Sequence, residues 1–188
     1  NGLESRPGHG AEAWLLIVEL VSGPHQPSAA LLRRAAARHG LRLAWVFHDA
    51  IPLRWSHLYG AGAAATAGHH AVYMAGLADA DLVLANSHTT ARHLRDFLAG
   101  RGLPSAHVQP LPLAQEFPGE PRVLPALQPV PSQRPWRLLC VGSLEPRKNH
   151  QSLLKAVAWL VAQRRFPAEL VLVGWPNDPR GVSMVERA

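Results

Sequence analysis

The chain has 188 residues, 47% of them hydrophobic, with a formal net charge of +6 and a pI near 10.7. That is enough apolar matter for one good-sized domain or parts of two, while the longest apolar stretch, around Ala13 to Val21, is far too short to span a bilayer. A single cysteine, Cys140, rules out a disulfide framework, and the basic balance, in which Lys148 and Lys155 are the only lysines, is spread along the chain instead of clustered as nucleic-acid binding would need.

The first apolar run, Trp14–Leu20, predicts a strand. No charged segment with a small-residue cleavage site precedes it, so no secretory signal is expected. Ser28 is placed to cap a helix over Ala29–Arg38, and Gly40 to close it. A second strand, Leu41–Phe47, runs into "HDAIPLRW". Ala63–Ala78 then reads as a long alanine-rich helix. Its start, "GAGAAATAG" from Gly60 to Gly68, has the letters of a dinucleotide fingerprint with alanine in the third place. The upstream "RWSHLY" is no strand, however, and the fingerprint needs one. Strand Leu82–Ala85 leads to Asn86-Ser87, where Ser87 can cap a helix through Leu98 that Gly100 stops, and His107–Gln109 predicts a fourth strand.

From Gln109 to Pro135 the chain holds eight prolines and no useful helical period, which reads as a semi-rigid connection. The expected organisation is one α/β domain over residues 1–118, a linker over 119–135 and the start of a second domain over 136–188. In that second part Arg137–Val141 and Leu170–Val173 predict strands. They flank a helix with Leu153, Leu154, Val157, Leu160 and Val161 on one apolar face. Near-continuous apolar strands alternating with helices mean parallel sheets, covered on both faces and built from right-handed βαβ units. Cys140 falls inside a strand as a core thiol, which suits a reducing cytoplasm.

Ligands of open parallel sheets bind at the carboxyl ends of the strands. Those ends carry His48-Asp49, Asn86-Ser87, Gly142-Ser143 and Gly174. His48 is either a satisfied core histidine or a cleft residue, and Asp49 either orients its ring or caps the turn before Pro52. Ser87 is either a plain helix cap or part of a cleft. "CVGSLEPRKNH" poses a sharper question, because Arg147 and Lys148 stand where a helix starts. That end disfavours cations by about 0.3–1 kcal/mol each. Either the two side chains point into solvent, or a bound anion makes them favourable by joining them to the dipole and the backbone N–H groups. Gly142 would let the backbone come close to such an anion, and a diphosphate is the obvious biological candidate. No P-loop and no nucleophile elbow occurs. Among eleven histidines, none sits in a His-Glu-x-x-His arrangement, and His88 and His93 are spaced poorly for one helix face, so no metal is expected.

The stretches, in this order, resemble glycosyltransferase family 4, whose members have the two-domain GT-B fold. "VGSLEPRKNHQSLLKA" resembles the "VGTLEPRKN" segment that opens the family's donor domain. "VFHDAIPLRW" resembles "HDLIPLRHP" of the acceptor domain, and "LADADLVLANSHTTARHL" resembles "ADLVLANSxxTAxxL". "VQPLPLAQEF" stands where the family has a "PLG" turn, with Ala114 in place of glycine, and "ELVLVGWPND" continues the second domain. The resemblance implies two Rossmann-like domains, both incomplete in this chain. It implies transfer of a hexose, mannose by the style of the motif, from a nucleotide-diphosphate sugar to a glycan or lipid-linked acceptor with retention of configuration. Lys148, helped by Arg147, would grip the donor diphosphate, with Gly142 and Ser143 lining the same place. Many relatives carry an arginine where this chain has Ser143, and Arg147 is its candidate substitute. His48 would face the transferred sugar as the catalytic candidate, with Asp49 and Ser87 on the acceptor side. Neither cofactor nor metal nor nucleic acid is implied, and the setting is cytoplasmic, at the inner face of the membrane where lipid-linked acceptors lie. The family's Glu-x7-Glu motif lies further along than this chain reaches and its glycine-rich N-terminal loop is absent, so a central fragment inactive on its own is expected. The alternative is a non-catalytic Rossmann-like remnant or interaction module.

Overall fold

The computed structural model describes residues 13–21, 25–104, 106–114, 119, 135–176 and 178–186. The chain divides into two compact units, 1–121 and 122–188. Of the connection expected over 119–135, all but Gly119 and Pro135 lie outside the described residues.

In unit one the elements run β1 (Trp14–Ile17), α1 (Ala29–Arg38), β2 (Arg42–Phe47), α2 (Ile51–Arg54), α3 (Ala63–Gly76), β3 (Leu82–Ala85), α4 (His88–Gly100) and β4 (Val108–Pro110). The four strands are all parallel and lie in sequence order. β1 stops three residues short of the predicted Leu20. The Val18 carbonyl accepts from His48 Nε2 at 2.8 Å instead of from a strand neighbour.

The predicted caps act through the expected atoms. Ser28 Oγ accepts from Leu31 N–H at 3.2 Å, and Ser87 Oγ from Thr90 N–H at 3.0 Å. Gly40 closes α1 with φ 66°. Gly100, expected to stop α4, remains helical. The left-handed step falls at Gly102 (φ 63°), and Leu103 N–H reaches back to Leu98 O at 3.0 Å. α3 likewise ends at Gly76, ahead of the predicted Ala78, as its last turn tightens into a 3-10 turn over Leu77–Asp79. Asp81 then ties three elements together, its carboxylate accepting from Leu43 N–H at 2.7 Å and pairing with Arg33.

The core of unit one lies on one face of the sheet. Leu43, Trp45, Phe47, Val83, Ala85 and Val108 point there, against Met74, Leu77, Leu94 and Leu98 of the helical layer. The other face presents exposed Trp14 and Leu16 beside half-buried Val46, Leu82 and Leu84. Strands that advance in one direction by right-handed crossovers put every connecting helix on the same side. The continuous apolar pattern predicts cover on both faces, and the described residues supply it on one.

Unit two consists of β5 (Trp136–Val141), α5 (His150–Arg164), β6 (Ala168–Val173) and α6 (Pro179–Glu186). β5 and β6 pair in parallel, from Trp136 against Ala168 to Val141 against Val173. α5 buries His150 and Val157 and half-buries Leu153, Leu154 and Leu160. Val161, expected in that stripe, is exposed. Alternation leaves Cys140 half-buried and turns Leu139 (67% exposed) and Val141 (71%) the other way. Both units are mixed α/β with parallel sheets, of the Rossmann-like kind.

Candidate functional site

The motif that joins β5 to α5 forms a tightly seated loop. Gly142 N–H bonds to Val173 O and Leu144 N–H to Trp175 O, both at 2.9 Å, so the pairing of the two strands continues past their ends. Two glycines make room for it. A Cβ on Gly174 would lie 1.8 Å from the Gly142 oxygen, and one on Gly181 of α6 would lie 2.2 Å from the Leu144 oxygen. After a short 3-10 turn, Pro146–Lys148, Asn149 adopts a left-handed conformation (φ 55°) and α5 begins. Its first turn carries no acidic residue and no side-chain cap, so the positive end of its dipole is not answered from within the helix.

Inside this loop the charges are divided unequally. Glu145 is 9% exposed and accepts from Ser143 Oγ at 2.6 Å. Arg147 reaches the same carboxylate with two nitrogens, Nε and Nη2, each at 2.9 Å. Burial pushes the Glu145 carboxyl up. The hydrogen bonds from Ser143 and Arg147, with the positive charges of Arg147 and Lys148, outweigh it and hold the group below its ordinary value. Glu145 is therefore ionised at neutral pH and neutralises Arg147. Lys148 is exposed, and although its backbone N–H bonds to Glu145 O at 3.1 Å, its ammonium makes no hydrogen bond or ion pair among the described residues. Its Cδ lies 4.0 Å from the place a Cβ on Gly142 would take, so its methylene stem passes over that glycine. Gly142, Ser143, Arg147 and Lys148 thus lie together at the carboxyl edge of β5 and β6. Arg147 is paired within the loop, and the Lys148 ammonium is unpaired among the described residues.

In unit one the ends of the neighbouring strands β2 and β3 bring His48, Asp49 and Ser87 side by side, with Phe47 opposite Ala85. The Asp49 carboxylate accepts from Ile51 N–H at 2.7 Å and so caps the turn into α2. Its carbonyl accepts from buried His70 Nε2 at 2.9 Å. Ser87 is the N-cap of α4 and also donates to Thr90 Oγ1 at 2.9 Å. His48 is exposed. A carbonyl can only accept, so the bond to Val18 fixes the proton on Nε2 and leaves Nδ1 as the acceptor of the neutral ring.

The sequence does not announce the roles of Glu145 and Asn149 within the loop, nor of Gly181 and Trp175 against it. A signal for Glu145 was present: a carboxylate two residues before one arginine and two after a serine. Its burial depends on α6, which the local letters do not reveal. Among the described residues no cluster of three or more His, Cys, Asp or Glu side chains is placed to hold a metal, and no helix is long and apolar enough to cross a membrane. No protein-family model matches the chain, and no curated protein matches it.

Proposed function

We propose that the chain binds a nucleotide-diphosphate sugar and serves the transfer of its hexose, with retention, to a glycan or lipid-linked acceptor, in the GT-B arrangement of two Rossmann-like domains. What carries this reading is Lys148, whose stem passes over Gly142 and whose ammonium is unpaired among the described residues, just ahead of the uncapped start of a fifteen-residue helix. A diphosphate there completes a set of donors that otherwise repel one another. The resemblance of "VGSLEPRKNH" to a donor-domain motif names the same residues. When the bond between the sugar and the diphosphate breaks, negative charge grows on the leaving oxygen, and a fixed cation lowers the barrier by stabilising it. Arg147 acts one step back, by shaping the loop through Glu145. His48, with Nδ1 free to accept from a hydroxyl, is the acceptor-side candidate in unit one. A lipid-linked acceptor would be met at the inner face of the cytoplasmic membrane.

Calorimetric titration of the purified chain with UDP and GDP tests this. Lys148→Ala is expected to weaken the tighter of the two by about 10-fold or more, the worth of one charge-assisted contact. Equal affinity in the wild type and the variant would refute the role given to Lys148.

A further inference from the structure

Trp175 is the most exposed of the large apolar side chains among the described residues, at 77%. It directly follows Gly174, where a Cβ would run into the Gly142 carbonyl. Its own carbonyl is fixed by Leu144 N–H at 2.9 Å. An indole open to solvent on a pinned main chain leaves only its two side-chain torsions for binding to fix. It sits at the carboxyl edge of β6, two residues past the strand, beside the loop that holds Gly142 and Lys148. The same strand spends its other apolar side chains on the sheet faces. Trp175 lies past the last paired residue, Val173, held through its carbonyl, and its ring is open to solvent.

We propose that Trp175 is the stacking platform for the nucleobase of the ligand whose diphosphate lies at Gly142 and Lys148. This rests on the diphosphate reading above and adds the recognition of the base. An aromatic face accepts any base, because every base has a flat π surface, so it adds affinity without choosing strongly between uracil and guanine. The unpaired ammonium takes the phosphates, and the ring takes the far end of the same molecule.

The test compares inorganic pyrophosphate with UDP and GDP on the intact 188-residue chain, in the wild type, Trp175→Ala and Trp175→Phe. Both nucleotides are expected to bind the wild type more tightly than pyrophosphate. Trp175→Ala should weaken both nucleotides by roughly 5- to 100-fold and leave pyrophosphate unchanged, and Trp175→Phe should keep most of the affinity. Unchanged nucleotide binding in Trp175→Ala overturns the stacking role. So does an equal loss for pyrophosphate, which would make Trp175 a support of the loop. A wild type that binds no pyrophosphate and is indifferent to Lys148→Ala refutes the diphosphate site instead, and the platform falls with it.

Discussion

Glu145 decides what the two cations of the loop can do. It takes both oxygens' worth of Arg147 and the hydroxyl of Ser143 while nearly buried, so removing it strands a guanidinium and frees the turn. Glu145→Ala is expected to destabilise unit two by about 1–3 kcal/mol. Arg147→Ala should cost a similar amount, and the double variant less than the sum, by a coupling of about 1 kcal/mol or more. Amide exchange in β5 and β6 measures all three, and strict additivity would deny that the pair acts as one unit. A second residue, His70, sets a pH limit on unit one. Burial lowers its pKa, outweighing the Asp49 carbonyl and carboxylate that raise it, and His93 is lowered too, by burial and by Arg54 and Arg92. Folded unit one therefore holds these rings neutral, and the unfolded chain takes up protons first. Their contribution is complete above about pH 6.5 and is lost as pH falls below it. The urea midpoint of unit one is expected to drop between pH 7 and 5. His70→Gln, which keeps a donor for the Asp49 carbonyl, should reduce that slope; an unaltered slope would remove His70 from the account.

At the scale of elements, glycines test how closely the pieces approach. Gly174→Ala and Gly181→Ala each push a methyl group into backbone of the Gly142–Glu145 loop, and Gly76→Ala sets one 2.5 Å from the Ala29 Cβ between α3 and α1. Such overpacking costs about 1–3 kcal/mol or more, since backbone cannot step aside as a side-chain tip can. Gly68, inside α3 with nothing within 4 Å of its would-be Cβ, is the contrast, and alanine there should stabilise by up to about 1 kcal/mol. Thermal unfolding of the four variants orders them. A Gly174→Ala chain as stable as the wild type would mean that the loop does not rest where described. Much at this scale was legible in the letters: the apolar runs of all six strands, and the caps at Ser28 and Ser87, follow from periodicity and local hydrogen bonding. The ends were less so. Where β1 leaves the ladder depends on the His48 ring, thirty residues away, and no local pattern announces that. The loop was legible as a place, since it falls at a strand's carboxyl end. How its charges divide was not, because Glu145 and Arg147 meet through an irregular turn that has no period to read.

For the molecule as a whole, the two sheets share one consequence. Each is covered by helices on one side and shows apolar side chains on the other: Trp14 and Leu16 in unit one, Leu139 and Val141 in unit two. Surface of this kind is expected to bind a hydrophobic dye and to lower solubility. Val141→Lys should reduce dye binding while leaving stability within about 0.5 kcal/mol, as substitutions at exposed sites do. A loss of about 2 kcal/mol or more would instead reveal a side chain packed in a core. The strands do not tell the two faces apart by composition, so which side lies bare was readable only from the order in which they pair.

Amide resonances of the intact chain titrated with UDP and GDP locate the place where a diphosphate binds. The expected result is saturable shifts at Gly142–His150 that Lys148→Ala weakens or abolishes. Shifts confined to other segments, or shifts at this loop that survive the loss of the Lys148 ammonium unaltered, would contradict it.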